Sequence, residues 1–277
     1  MAPPRSEEDD ASFLTILLDI TDPTWRLAPL GLSLQGLAEQ VLAFINSYVL
    51  LNSSNRMAVF AANTAGSYLV YEYVAPAKQD LIEAGAQLLS KLQQAVELEA
   101  EAQSQQGSSL SSGLSRSLCY INRVLKSLGP GGSCSPRLLC ITAGADDPRQ
   151  YIAVMNAIFS AQRSEVSIDC CKLGQGDSTF LQQAAYITGG TYVRPTRQAA
   201  LLQYLLSAYA CDPFSRQFLR LPKPSQVDFR ASCFCHKRSI DIGFVCSVCL
   251  SIFCEKLPHC ITCGADFMGE AAGSLKQ

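Results

Sequence analysis

At 277 residues, the chain is long enough for one large domain together with one small one. Hydrophobic residues make up 48% of the sequence, so the chain can bury a full core, and its formal net charge is only -2. This balance gives no general attraction for polyanions, so nucleic acid and anionic membranes are not the expected partners.

The N-terminal residues and the longest apolar stretch indicate the redox environment of the chain and whether it spans a membrane. Met1–Asp10 is rich in Pro, Glu and Asp and lacks the apolar core of a secretory signal, so we expect reduced thiols rather than disulfides. The longest apolar stretch, Gly36–Leu51, is interrupted by polar residues such as Glu39. We predict that it is too polar and too short to span a membrane.

The first half of the chain predicts a strand, a helix, a hairpin and a second helix. Phe13–Ile20 (FLTILLDI) is an apolar run typical of a strand buried on both faces of a parallel sheet. Leu34–Leu50 repeats apolar residues at helical spacing. Two short runs around a Gly-ended connector predict the hairpin, and a stretch rich in helix formers predicts the second helix. These elements are Arg56–Ala62, Ser67–Val74 and Lys78–Ala102.

The second half continues the alternation of strands and helices. Gln103–Ser112 has no periodicity and is expected to be a mobile loop, followed by a helix over Leu114–Leu128 and a buried strand over Arg137–Thr142. Helix, strand, helix, strand and helix then follow over Pro148–Gln162, Val166–Lys172, Ser178–Ile187, Thr191–Val193 and Ala199–Ala210. We therefore predict an α/β domain with a mostly parallel, Rossmann-type sheet, helices on both faces and one antiparallel hairpin.

A change of composition predicts two modules. Leu221–Ser225 contains two prolines, and the sequence becomes cysteine-rich soon after it. The predicted organisation is a disordered N-terminus at 1–12, the α/β domain at 13–220, a linker at 221–232, a cysteine-rich module at 233–267 and a tail at 268–277.

The cysteine spacing predicts a zinc site in the second module. Seven of the thirteen cysteines lie within it, and they include two C-x2-C pairs, Cys246 with Cys249 and Cys260 with Cys263. Two such pairs can complete a tetrahedral zinc site with bonds of about 2.3 Å. Because all four ligands would be cysteine, no position is left for water or substrate, and the site is predicted to be structural. Small buried apolar cysteines are the alternative interpretation.

A second zinc site is a further hypothesis. Its candidate ligands are Cys233, Cys235, His236 and Cys254. Two sites would form a RING-like or extended zinc-finger arrangement, so the sequence predicts one zinc ion or two. For both histidines, His236 and His259, an ordinary surface position beside a metal site is the open alternative.

Another candidate ion site lies after the first strand, at the edge where ligands bind in such sheets. Asp19 and Thr21 resemble the first two positions of D-x-S-x-S, the motif with which the von Willebrand A family binds a divalent ion. Pro23 and Ala143 do not match the remaining positions of that family's site. Their side chains offer no oxygen to Mg²⁺, so the resemblance implies a degenerate site that is empty.

Three acids near this edge could replace the missing ligands. We expect them to be solvated loop carboxylates instead. They are Asp22, Asp146 and Asp147.

The sequence shows no catalytic grouping. Both histidines lie in the cysteine-rich module, so the large domain cannot assemble a Ser/His/Asp triad. Gly174–Asp177 does not continue as a dinucleotide-binding fingerprint. We predict that the protein is not an enzyme.

The chain resembles a known family over nearly its whole length, most clearly in four segments. They are Phe13–Ile20 (FLTILLDI), Asn55–Asn63 (NRMAVFAAN), Ser112–Arg123 (SGLSRSLCYINR) and Cys246–Cys254 (CSVCLSIFC). With them, the chain resembles the small von Willebrand A subunits, bearing a zinc finger, of the general transcription and DNA-repair factor TFIIH.

This resemblance implies a nuclear scaffold subunit of the TFIIH core. It implies binding to the other von Willebrand A and zinc subunit and to further core subunits, in RNA polymerase II transcription initiation and nucleotide excision repair. The alternatives are a RING-like ubiquitin ligase and a zinc-dependent nucleic-acid-binding module. The second alternative has little support, because cations in the cysteine-rich module are few and are balanced by acids.

Overall fold

Six strands form the central sheet of the protein. The computed structural model describes residues 11–21, 31–52, 54–73, 81–101, 110–128, 134–212, 215–222, 227–236, 239–249 and 251–267. The strands are β1 (Ala11–Asp19), β2 (Arg56–Asn63), β3 (Gly66–Tyr73), β4 (Cys134–Thr142), β5 (Ser167–Lys172) and β6 (Tyr192–Val193). Their order across the sheet is β3-β2-β1-β4-β5-β6. All neighbours are parallel except β2 and β3, the predicted hairpin.

Helices cover both faces of the sheet. They are α1 (Leu34–Leu51), α2 (Leu81–Glu101), α3 (Leu110–Ser127), α4 (Tyr151–Arg163), α5 (Thr179–Thr188) and α6 (Leu201–Tyr209). Strand side chains alternate between the two faces, so Leu14 and Ile16 of β1 pack with α1, α2 and α6. Phe13 and Leu17 pack with α3, α4 and α5 on the opposite face. The predicted α/β fold, a mostly parallel sheet with helices on both faces and one antiparallel hairpin, is therefore confirmed.

The starts of α3 and β4 differ from the prediction because partners distant in sequence fix them. Helix α3 begins at Leu110, inside the segment that we expected to be a loop. There Leu110 is buried, and the backbone N–H of Ser111 donates to Oε1 of Gln150 at 3.1 Å. Strand β4 begins at Cys134 rather than Arg137, because its first residues pair with the start of β1. The rest of the expected loop, 103–109, lies outside the described residues, as do the N-terminal residues 1–10 and the tail at 268–277.

Helix α3 lies unusually close to the sheet at Gly113. A Cβ atom at this position would lie 2.8 Å from Cδ1 of Leu17 and 3.0 Å from Cβ of Ala62. Such distances are below van der Waals contact, so the close approach requires glycine here.

Helix α1 is long and apolar enough to cross a membrane, contrary to our expectation for this stretch. It is the one described helix that meets this criterion. Its apolar side, however, packs against the sheet and against α2 and α6, with Val41, Phe44 and Ile45 almost fully buried. We therefore interpret α1 as a core helix of the α/β domain.

A buried group of charges lies near the amino-terminal edge of β4 and β5. The guanidinium of Arg216 donates to both carboxylate oxygens of Asp169, at 2.7 and 2.6 Å. Arg137 is fully buried; its Nη1 lies 3.9 Å from Asp169 Oδ2 and donates to the carbonyls of Tyr209 and Cys211. These contacts attach the segment after α6 to the sheet.

The cysteine-rich module consists of two small antiparallel ladders. They pair β7 (Ala231–Ser232) with β8 (Ser239–Ile240), and β9 (Phe244–Val245) with β10 (Ile252–Phe253). Its apolar centre is the fully buried Phe253, with which the rings of Phe234 and Phe267 make edge contacts at 6.4 and 6.1 Å. A core this small cannot stabilise a fold without further crosslinks.

Candidate metal centres and the sheet edge

The four cysteines of the two C-x2-C pairs converge in space. The Sγ atoms of Cys246, Cys249, Cys260 and Cys263 all lie within 4.8 Å of one another. The Sγ distance is 3.8 Å between Cys246 and Cys263 and 3.5 Å between Cys249 and Cys260. A tetrahedral ion with bonds of about 2.3 Å separates its ligands by about 3.8 Å, so the arrangement fits zinc.

Local backbone structure holds these thiols in place. Gly264 has a φ of 75°, and its N–H donates to the carbonyl of Cys260 at 2.8 Å, closing the second C-x2-C turn. The N–H of Cys246 donates to the carbonyl of Ser251 at 2.9 Å, which closes the first. The Oγ of Ser251 lies 3.1 Å from the Sγ of Cys249. Hydrogen bonds from Ser251 stabilise the thiolate and lower the pKa of Cys249 to about 6, so this ligand is readily deprotonated.

The structure also brings together the four candidate ligands of the second site. The ligand atoms of Cys233, Cys235, His236 and Cys254 lie within 4.8 Å of one another. The Sγ of Cys254 lies 3.4 Å from the Sγ of Cys235 and 3.1 Å from Nδ1 of His236. Of the two histidines, only His236 joins a cluster, since His259 is exposed and pairs with Asp266 through its backbone.

Both donor sets suit a structural metal. One site offers four sulfur atoms and the other three sulfur atoms and one imidazole nitrogen, and zinc is bound in proteins by such sets. Each set is complete with four protein ligands, so no coordination position is left for a substrate. When bound, zinc would supply the crosslinks that the small core around Phe253 lacks.

The sheet edge offers a poor site for Mg²⁺. The N–H of Thr21 donates to Oδ1 of Asp19 at 3.0 Å, and the hydroxyl of Thr142 donates to Oδ2 at 2.6 Å. The N–H of Gly144 donates in turn to Oγ1 of Thr142 at 3.0 Å. Among these groups, the Oγ1 of Thr21 is the buried side-chain oxygen that lacks a hydrogen-bond partner. Mg²⁺ demands octahedral oxygen coordination, which these described residues do not provide.

The expectation of solvated loop carboxylates was wrong for Asp146. This residue is half-buried, accepts a short hydrogen bond from the hydroxyl of Ser178, and accepts another from the N–H of Phe180 at 3.1 Å. It therefore caps the N-terminus of α5, where a carboxylate is favourable. Asp147 pairs instead with Arg149 at 2.9 Å, and Asp22 and Pro23 lie outside the described residues.

Sequence reasoning missed one residue at this edge, Lys172. Its side chain is only 3% exposed, and Nζ donates to the carbonyls of Ala143 and Leu173 at 3.1 and 2.9 Å. The sequence did contain a signal, a lysine at the end of an otherwise buried strand. Burying an ammonium there is costly unless it finds hydrogen-bond partners.

The segment before the zinc clusters contacts the α/β domain. The amide of Gln183 in α5, which is 2% exposed, donates to the carbonyl of Asp228 at 2.6 Å. The ring of Phe229 meets that of Tyr186 edge to face, with centroids 5.1 Å apart. Residues 228 and 229 therefore join the cysteine-rich module to α5.

A cavity of about 390 Å³ lies between α3 and α4. Its polar lining consists of hydroxyl, amide and thiol groups, including Asn122, Asn156 and Cys119. It contains no acid, lysine or histidine among its lining residues, so it presents no acid–base pair for catalysis.

Comparisons with known proteins cover nearly the whole chain. Residues 11–264 match the family described as transcription factor Tfb4. The general transcription and DNA repair factor IIH subunit TFB4 of Arabidopsis thaliana is 42% identical, with 95% of this chain and 91% of that protein covered. The corresponding subunit tfb4 of Schizosaccharomyces pombe is 35% identical over 95% and 91%.

A solved structure is also similar. The crystal structure of the TFIIH p34 N-terminal domain has a TM-score of 0.61 and is 28% identical, covering 73% of this chain and 99% of that one.

Proposed function

This chain belongs to the Tfb4 family, and on that premise we propose that it is a non-catalytic scaffold subunit of the TFIIH core. The proposed roles are RNA polymerase II transcription initiation and nucleotide excision repair, in the nucleus. The observation that carries the proposal is that the match runs through both modules, from residue 11 to residue 264.

The geometry supports a scaffold more than a catalyst. Each candidate metal cluster is complete with four protein ligands, and the lining of the cavity between α3 and α4 holds no acid–base pair. The contacts of Asp228 and Phe229 with α5 would hold two binding surfaces in one orientation. When the two modules are already held in one orientation, a partner that contacts both of them binds with a smaller loss of conformational entropy than when the modules must first be ordered.

The main partner in this proposal is the other von Willebrand A and zinc subunit, which would bind the α/β domain without a divalent ion. The cysteine-rich module, with two zinc ions, would bind further core subunits. Direct nucleic-acid binding has weak support here, because Arg230, which lies just before the module, is engaged by Asp228 and Asp241 at 2.7 and 3.4 Å.

Purification of the tagged full chain from nuclear extract tests the proposal. We expect TFIIH core subunits as the dominant companions, identified by mass spectrometry. A variant with Cys246→Ser and Cys249→Ser should retain the partner of the α/β domain and lose those of the cysteine-rich module. The matched control is Cys119→Ser, an exposed thiol on α3 outside both clusters. Recovery of the wild-type chain without any TFIIH subunit would refute the proposal.

A further inference from the structure

A groove between two neighbouring helices opens to the surface of the α/β domain. It is the cavity of about 390 Å³ between α3 and α4, and no charged residue belongs to its lining. The apolar lining includes Leu118 and Ile121 of α3 and Ala157 of α4, which are at most 9% exposed. Asn122 and Ser160, which also line it, are exposed. The groove therefore has an apolar floor and an uncharged polar border.

The shape of the groove suits an α-helix. On α4, the lining residues Ala153, Ala157 and Ser160 are four and three positions apart, so they lie on one face of that helix. All three side chains are small, which allows the backbone of an occupant to approach α4 closely. On α3, Leu118 and Leu125 line the groove about two turns apart. A helix that binds in such a groove inserts apolar side chains that recur every three or four residues.

The two helices that form the groove carry only positive charges, because neither contains aspartate or glutamate. Lys126 lies four residues after the lining residue Asn122, and Arg163 lies three residues after Ser160. Both cations are exposed and stand beside the groove on the helix surface. Within the described residues, neither forms an ion pair. One acid, Glu165, follows α4, so this surface stays net positive. The charged residues of the two helices are Arg116, Arg123, Lys126 and Arg163.

The segments that adjoin α3 in the sequence are poorly suited to fill the groove. Residues 103–109 (QSQQGSS) precede α3, and residues 129–133 (GPGGS) follow Leu128. Neither segment contains an acidic residue or a large apolar one. An occupant that combines both properties is therefore expected to belong to another protein.

We propose that the groove between α3 and α4 is a docking site for an amphipathic helix of a partner protein, apolar on the face that enters the groove and acidic beside it. The apolar side chains cover the floor, and the acids lie opposite Lys126 and Arg163. Helix α4 has 13 residues and is about 20 Å long, so an occupant of about three to four turns matches it. Nucleic acid fits less well, because its phosphates require cations along the groove itself. This docking site does not depend on the function proposed above, since the chemistry of its lining and border defines the occupant.

Photocross-linking tests which molecule occupies the groove. The photoreactive residue p-benzoylphenylalanine replaces the exposed Ser160 in the tagged full chain, which is irradiated in nuclear extract, and the cross-linked peptide is sequenced by mass spectrometry. We expect an acidic segment of a partner protein with apolar residues three or four positions apart. The same probe at Lys91, an exposed residue of α2 on the other face of the sheet, should not capture that segment. Cross-links to nucleic acid, to a second copy of this chain, to its own residues 1–10 or to a segment without this pattern, and the absence of any cross-link, would each overturn the proposal.

A binding measurement then separates the charges from the shape of the groove. A fluorescent synthetic peptide with the cross-linked sequence is titrated with the full chain and followed by fluorescence anisotropy. Lys126→Glu combined with Arg163→Glu should weaken binding on the order of tenfold or more, and added salt should weaken binding to the wild type. Ser160→Trp fills the groove without changing the charge and should also weaken binding, whereas Lys91→Glu should leave it unchanged. Equal affinities of the wild type and either groove variant, each shown by circular dichroism to be folded, would contradict the proposal.

Discussion

Asp169 anchors the segment that follows the last helix of the α/β domain, and its replacement by asparagine tests how much that anchor stabilises the domain. Its side chain is fully buried and accepts hydrogen bonds from both Nη atoms of Arg216 and from the N–H of Thr191 at 2.9 Å. The guanidinium of Arg137 lies 3.9 Å away, also fully buried. One carboxylate therefore balances two guanidinium groups.

Asp169→Asn keeps the size of the side chain but removes its charge and turns one acceptor into a donor. At least one of the bonds from Arg216 is then lost, and Arg137 and Arg216 remain close together without a counter-charge. Breaking a buried, hydrogen-bonded ion pair in this way costs about 3–5 kcal/mol. For a domain of this size, each kcal/mol lowers Tm by about 2–4 °C, so we expect a decrease of roughly 6–20 °C.

The measurement is urea and thermal unfolding of the zinc-loaded protein, followed by circular dichroism, with the loss taken from the midpoint at unchanged m-value. Arg194→Gln is the control, because it breaks an ion pair with Asp177 whose side chains are 44% and 47% exposed. The control should lose no more than about 1 kcal/mol. A loss below about 1 kcal/mol for Asp169→Asn would show that the buried charges contribute little to stability.

The remaining predictions concern the metal centres, the contact with α5 and the sheet edge. Cys246→Ser and Cys233→Ser should each reduce the zinc content from two ions to one, measured by mass spectrometry of the native protein. A chelator should unfold the cysteine-rich module while the α/β domain stays folded. Protein purified without zinc would contradict both predictions. Tyr186→Ala removes an edge-to-face contact of about 0.5–1.5 kcal/mol with Phe229, so proteolysis of residues 227–230 should become roughly two- to tenfold faster. The control Phe159→Ala, which changes an exposed residue of α4, should leave the proteolysis rate unchanged. Equal rates for the two variants would refute a stable contact between Tyr186 and Phe229. The partner of the α/β domain should bind equally tightly with Mg²⁺ and after removal of Mg²⁺ by EDTA, measured by interferometry in an assay too short for EDTA to extract zinc. An affinity that depends on magnesium would contradict the prediction that the sheet edge holds no ion.

The sequence alone was sufficient for the architecture and for the candidate metal ligands. A strand buried on both faces must be apolar throughout, so Phe13–Ile20 could be recognised without knowledge of its neighbours. The two C-x2-C pairs are equally local signals, because each turn by itself presents two thiols to one ion. Alternation of these strands with amphipathic helices then determined the parallel sheet.

Only the tertiary structure decided features that depend on residues distant in the chain. The start of α3 is set by Gln150, which lies 39 positions from Ser111, and the cap of α5 is supplied by Asp146. The cost of burying Lys172 or Asp169 is met by groups from other segments, namely the carbonyl of Ala143 and the guanidinium of Arg216. The chemistry of a polar or charged residue shows that it needs a partner when it is buried, but the packing of the whole chain determines which group is that partner.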